Sequence, residues 1–170
     1  MSELKEPKPA KVITGLLISP SVNQQECFEM LFRHFGDIDF ISESIQFDYS
    51  KYYEPEMGTG LKKLFYSFAN LINPEQIVDV KLQTNEIEEL LSEQGRRKVN
   101  LDPGYLAPAK VVLATTKNFD HRIYLGKGIY GDVQLRFRKK KFHFNNWTYP
   151  DYKDMYVIEF LTRLRSLYMK

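Results

Sequence analysis

Asp102, Pro103, Gly104 and Tyr105 follow one another in the chain, and this short run carries the clearest local signal for chemistry. Proline suits the second position of a β-turn, and glycine the third, where a type II turn needs a positive φ. The spacing therefore predicts a turn over residues 102–104, with strands on either side. Most such turns are plain tight connections. This one would also set the Asp102 carboxylate, the Tyr105 hydroxyl and turn amides, including that of Gly104, at a strand end where a phosphate or a metal could be held.

Other candidates lie along the chain. Glu54, Glu56, Asp48 and Asp120 offer oxygen ligands for a divalent cation, although their plainer role is as solvated loop charges. Lys117, Asn118 and His121 follow an apolar run, so they fall at a strand end where an anion could bind, and His121 could titrate near neutral pH. Trp147, Thr148, Tyr149, Pro150, Asp151 and Tyr152 form a rigid aromatic platform just before a helix start, where free amides favour anions; otherwise they form a packed strand-to-helix corner. Arg136, Arg138, Lys139, Lys140 and Lys141 are interleaved with Phe137 and followed by Phe142, His143 and Phe144. That pattern fits phosphate contact with base stacking, and it equally fits an edge hairpin guarded by lysines against aggregation.

Several common chemistries lack their signatures. Residues 58–63 (GTGLKK) have the wrong spacing for a phosphate-binding loop and no Ser or Thr after the lysine. Three histidines (His34, His121, His143) and one cysteine show no zinc-ligand spacing. There is no G-x-S-x-G elbow, and Cys27 in the middle of a helix is not placed as a nucleophile.

The elements that must position these residues follow from periodicity. Residues 1–11 read as a frayed, polar lead-in, with no cleavable leader pattern. Residues 12–19 (VITGLLIS) are a buried central strand. Asn23 caps a helix whose Phe28, Leu31, Phe32 and Phe35 share a face and which Gly36 ends. Residues 37–48 alternate as a strand bent near Ser42, and residues 49–63, including Tyr53, form a long loop. Residues 64–72 return to a strand, and Asn73 with Pro74 open the next element. Residues 75–94 read mostly as helix, against a competing strand at residues 78–82 followed by a helix capped at Asn85. Strands at 98–101 and 109–116, an antiparallel meander through 122–125, 129–137 and 142–144, and a helix from Pro150 complete the chain. The order predicts an α+β fold: a ferredoxin-like, split βαβ core with an appended meander and a C-terminal helix.

Composition sets the frame around this. The chain has 170 residues, 43% apolar and 27% charged, enough for one domain with one core. A net charge of +2 gives no general case for nucleic acid or membrane, so any basic footprint is local. A lone cysteine, with no apolar run long enough to span a bilayer, predicts a cytoplasmic protein without a membrane partner.

The runs YYEPEMG (52–58), VNLDPGYL (99–106), VVLATTK (111–117), HRIYLGKGIYGDV (121–133) and WTYPDY (147–152) resemble the domain of unknown function 4416 family of uncharacterised prokaryotic proteins. Some of its members bear an automatic GTP-binding label. No Walker motif or N-K-x-D stands behind that label here. The family's Ala-Glu after GIY is Gly131 and Asp132 in this chain, which shortens one candidate carboxylate. The resemblance implies no activity and transfers no catalytic residue.

The expectation is a binding protein for a phosphate-bearing ligand, a nucleotide or an RNA segment. Its site draws on Tyr53, Glu56, Asp102, Gly104, Tyr105, Lys117, His121, Trp147, Tyr149 and Asp151, with Arg136, Arg138, Lys139, Lys140 and Lys141 as the nucleic-acid contacts. One alternative is a hydrolase or transferase of phosphoryl groups, in which Glu54, Glu56, Asp102 and Asp151 hold a divalent cation. The other is an interaction module without chemistry.

Overall fold

The computed structural model describes residues 3–170. The chain is α+β: among the described residues nine strands form one sheet in which every pairing between named strands is antiparallel, and four α-helices accompany it.

β1 (Ala10–Ile18) is buried on both faces along its whole length, as its largely apolar run predicts for a central strand, although Lys11 and Thr14 are buried with it. It begins two residues earlier than the sequence suggests, so Ala10 and Lys11 belong to the sheet and not to the lead-in; Met1 and Ser2 of that lead-in lie outside the described residues. α1 (Gln24–Phe35) starts where Asn23 Oδ1 accepts the Gln25 N–H at 3.0 Å and ends at Gly36, whose φ of 82° suits glycine. Its buried face uses Cys27 and Leu31, while Phe32, expected on that face, is 47% exposed.

The strand expected over residues 37–48 is two strands, β2 (Ile38–Ile41) and β3 (Ile45–Gln46), both paired to β4 (Lys62–Ile72). Ser42 sits at the break. Its hydroxyl accepts the Phe65 N–H at 2.8 Å and receives a hydrogen bond from the Tyr156 hydroxyl at 2.6 Å, standing in for the interrupted ladder. The following segment is not wholly loop, because a single helical turn, α2 (Glu54–Met57), interrupts it.

Residues 74–90 are helical, a 3-10 turn (Pro74–Gln76) running into α3 (Ile77–Leu90), so the competing strand at 78–82 does not form. β5 (Val99–Ala107), β6 (Lys110–Thr115), β7 (Ile123–Gly126), β8 (Ile129–Arg138) and β9 (Lys141–Phe144) follow as expected in kind. The turn expected at residues 102–104 is absent: Asp102, Pro103 and Gly104 are interior to β5, and the chain reverses between Ala107 and Lys110. Pro103 survives mid-strand and Gly104 has no positive φ. The glycine is needed because a Cβ there would lie 2.3 Å from the Val112 carbonyl oxygen. The last helix, α4 (Met155–Tyr168), begins later than Pro150; a 3-10 turn (Asp151–Lys153) precedes it, and Asp154 caps it by accepting the Tyr156 N–H at 2.9 Å.

The strand order is β2-β4-β1-β5-β6-β8-β7, with β3 beside β4 and β9 beside β8. Helices α1 and α3 cover one face through Leu16, Leu31, Tyr66, Phe68, Ile77 and Ile87, and α4 covers the other through Ile13, Phe65, Leu135, Phe160 and Leu161. No helix among the described residues is long and apolar enough to cross a membrane.

Candidate functional site

β4 carries a lysine into the interior. Lys63 is 3% exposed, and its ammonium lies 3.1 Å from Asp102 Oδ2 on β5 and 3.4 Å from Asp151 Oδ2 in the turn before α4. β1 runs between β4 and β5, and the residue paired with Asp102 there is Gly15. A Cβ on Gly15 would stand 3.0 Å from Lys63 Cε and Nζ, so the bare glycine gives the lysine stem its path. Burial alone would push Lys63 toward neutrality, but the charges of Asp102 and Asp151 outweigh it and hold the ammonium above the ordinary lysine value. Burial likewise opposes ionisation of Asp102, yet the Lys63 and Lys81 charges hold its carboxyl below the usual range.

Three tyrosines surround this pair of carboxylates. Burial, with the nearby negative charge of Asp102, raises the phenols of Tyr53 and Tyr152, and burial also raises that of Tyr149. Tyr152 is fully buried, stacked edge-on against Phe65 at 5.4 Å, and its hydroxyl has no hydrogen-bond partner among the described residues. The loop bearing Tyr53 is fastened to α4 by Tyr49, whose hydroxyl donates to Asp154 at 2.6 Å and is pushed up to about 12 by burial and by that bond.

The network continues along the same end of the sheet. Arg122 donates from Nε to Asp132 Oδ2 at 2.9 Å, from Nη2 to the Tyr149 hydroxyl at 2.9 Å and from Nη1 to the Lys117 carbonyl at 2.9 Å. His121 Nε2 lies 3.3 Å from the same Asp132 oxygen, and its ring stacks on Trp147 at 4.9 Å with 15° between planes. Lys117 Nζ donates to the Tyr52 hydroxyl at 3.2 Å and makes no salt bridge among the described residues. The 147–152 segment is held here by an irregularity in β8. Val111 pairs with Leu135 and Val112 with Val133, which leaves Gln134 as an extra residue. The Val133 carbonyl accepts from Trp147 Nε1 at 3.0 Å, the Gln134 carbonyl accepts from Thr148 at 2.6 Å, and Gln134 Oε1 accepts the Tyr149 N–H at 2.8 Å. Asp132 Oδ1 and Gln134 Nε2 remain buried without partners among the described residues.

Tyr53, Asp102, Lys117, His121, Trp147, Tyr149 and Asp151 thus come to one end of the sheet. Glu56 does not join them directly: it is bound by Arg97 through Nε (2.9 Å) and Nη2 (2.7 Å), bonds that hold its carboxyl low. Two more candidates are misplaced by the sequence reading. Tyr105 lies on the α1/α3 face and Asp102 on the α4 face, because strand neighbours three apart point oppositely; Gly104 serves packing. The basic run sits at the far end of β8, where Lys139 and Lys140 form the two-residue tip of the β8–β9 hairpin. No group of three His, Cys, Asp or Glu side chains among the described residues is arranged to hold a metal ion. Cys27 is buried and pushed up to about 12 by desolvation, which keeps it from acting as a nucleophile.

Lys63, Gly15 and Arg122 escaped the sequence reading. Lys63 and Gly15 carry no motif, since only the strand register brings them to Asp102; Arg122 stands next to His121 and could have been taken with it.

A family model described as Domain of unknown function (DUF4416) matches residues 8–168. The chain belongs to this family. Comparison with curated proteins and with solved structures gave no match. The Tyr-Tyr-Glu, Asp-Pro-Gly-Tyr and Trp-Thr-Tyr-Pro-Asp-Tyr runs of this chain are therefore read from their own geometry. Each places at least one side chain, Tyr53, Asp102 or Tyr149 with Asp151, around Lys63 or Arg122.

Two clefts lie elsewhere. One of about 350 Å³ opens between α1 and α3, lined among others by His34, Phe35, Asn70 and Asp79, and one of about 280 Å³ lies beside Phe40 and Arg163.

Proposed function

We propose that the chain binds a small phosphate-bearing ligand, a nucleotide in the first instance, at the end of the sheet where Tyr52, Lys117, His121, Arg122 and Trp147 meet. The observation that carries this reading is Lys117. It is an exposed cation without a carboxylate partner among the described residues, set beside Tyr52 and joined through Arg122 to the His121–Trp147 stack. A phosphate would take the ammonium, and a base would lie against the exposed rings of Trp147 and Phe119, which are 40% and 63% exposed. The Lys63–Asp102–Asp151 cluster beneath carries two carboxylates to one ammonium, so it suits the scaffold of the site better than direct contact with phosphate.

The order β2-β4-β1-β5, with antiparallel neighbours and both α1 and α3 on one face, supports reading that part of the chain as a ferredoxin-like core. A buried, unpaired Cys27 suits a cytoplasmic setting. A second reading, as an interaction module, has one observation in its favour: edge strand β7 exposes Ile123 at 70% and Tyr124 at 59%. The metal-assisted alternative gains nothing from the carboxylates, since Glu56 is already engaged by Arg97.

Trp147 is the sole tryptophan, so its fluorescence reads the site directly. Titration with ATP or GTP is expected to change its emission saturably, with Lys117→Gln weakening the ligand about tenfold, the loss of one charge-assisted contact. No change in emission and no rise in melting temperature at millimolar nucleotide would remove this reading and leave the edge-strand one.

A further inference from the structure

The β8–β9 hairpin lies at the opposite end of β8 from Lys117 and His121, roughly 30 Å away along a ten-residue strand. Between Val133 and Pro150 the chain has no Asp or Glu and five Lys or Arg. Register sorts these charges. Lys110 on β6 pairs with Arg136 on β8, which pairs with His143 on β9, and Arg138 pairs with Lys141 one row further on. Val111, Leu135 and Phe142, their neighbours along the strands, point to the α4 face, so the basic row occupies the reverse face. There α3 lies against β5, the adjoining part of β6 and the start of β8, where Ile129 is buried and Lys127 pairs with Asp79, whereas the hairpin end of these strands carries the exposed charges. Lys110, Arg138 and Lys141 are exposed, and Arg136 and His143 half-exposed.

Protection of a sheet edge explains lysines at the tip and on β9. It does not explain Lys110 or Arg136, which sit on strands with neighbours on both sides. We infer that the row Lys110, Arg136 and His143, with Arg138 and Lys141 beside it, is a binding surface for the phosphodiester backbone of single-stranded RNA. Charges recur about 5 Å apart across strands and about 7 Å apart along them, a lattice suited to a flexible chain with one negative charge per unit. Arginine forks fit phosphate oxygens, and Arg136 Nε is buried without a partner among the described residues while its Nη2 bonds the Phe144 carbonyl. Half-buried Tyr105, two residues from Ala107 and thus one row from Lys110, gives a ring on the same face for a base. A lipid surface is the poorer fit, because the projecting tip, Lys139–Lys140, has no apolar anchor.

Anisotropy of a labelled 20-nucleotide oligouridylate, measured over a range of salt, tests this. The protein is expected to bind with a steep salt dependence. Lys110→Gln/Arg138→Gln/Lys141→Gln is expected to weaken binding at least tenfold at low salt and to flatten the log–log slope by about 2, at ~0.7 per lost contact. Lys117→Gln, which impairs the nucleotide titration above, leaves RNA binding unchanged, so the two readings fail separately. Melting temperature checks the triple variant's fold; if it unfolds, Lys110→Gln alone must still flatten the slope. The inference is overturned if oligouridylate does not bind at low salt, if the variant keeps the parent slope, or if phosphatidylserine vesicles bind and RNA does not. Loss of binding on changing Lys139 and Lys140 alone would also overturn it, because the tip and not the face would then be the site.

Discussion

Lys63 reaches Asp102 over Gly15, across the strand β1 that lies between β4 and β5. The ion pair and the glycine form one unit: β1 must be bare at that point for charges on β4 and β5 to meet inside the fold. Gly15→Val is therefore expected to displace the ammonium and to cost roughly 1–3 kcal/mol, as overpacking does. Urea denaturation would show it, and since Gly15 has no positive φ the loss reports the packing clash and not backbone strain.

Lys63→Met leaves Asp102 and Asp151 inside the fold without their cation. The expected loss is about 3–5 kcal/mol, the usual consequence of stranding a buried charge. The pH dependence changes too. In the parent chain Asp102 holds its proton less tightly folded than unfolded, so its contribution is complete above the ordinary value of 3.8 and is lost as the pH falls through the lower folded value. In Lys63→Met burial is no longer opposed by Lys63, and acid should rescue the variant relative to the parent. Stability curves between pH 3 and 7, a range of about four units chosen to span the carboxylates, would reveal converging values toward low pH.

At the hairpin tip Lys139 and Lys140 have φ of 48° and 62°, the left-handed region that a type I′ turn demands and that lysine occupies at a cost. Lys139→Asn/Lys140→Gly should raise stability by about 1 kcal/mol or more, visible as a higher melting temperature. A fall instead would mean that the two lysines contribute something to the folded chain beyond closing the hairpin.

Gly104→Ala should damage the sheet itself. The added carbon would meet the Val112 carbonyl oxygen at 2.3 Å, and neither backbone can yield without breaking the β5–β6 ladder. A loss of about 3 kcal/mol or more is expected, at the upper end of overpacking. Hydrogen exchange at Leu106 and Val111, faster than at the β1–β4 ladder, would locate the damage.

Periodicity and punctuation in the sequence determined much of the local structure. The apolar run of β1, the caps of α1 at Asn23 and Gly36, the meander and the apolar stripe of α4 are all encoded by neighbours, and short-range rules read them. The aromatic and charged runs also named most of the side chains that gather around Lys117 and Tyr149. Tertiary structure alone decided the rest. Asp-Pro-Gly has the composition of a turn, yet pairing with β1 along its length, and with β6 from Gly104 onward, holds it extended, and packing against Val112 accounts for the glycine. Lys63 looks like an ordinary loop lysine until register sets it over Gly15. The basic run gains Lys110 and Tyr105 only through the β5–β6–β8 alignment. Local propensity acts over a few residues, whereas these contacts join strands far apart in sequence, so only the folded sheet could specify them.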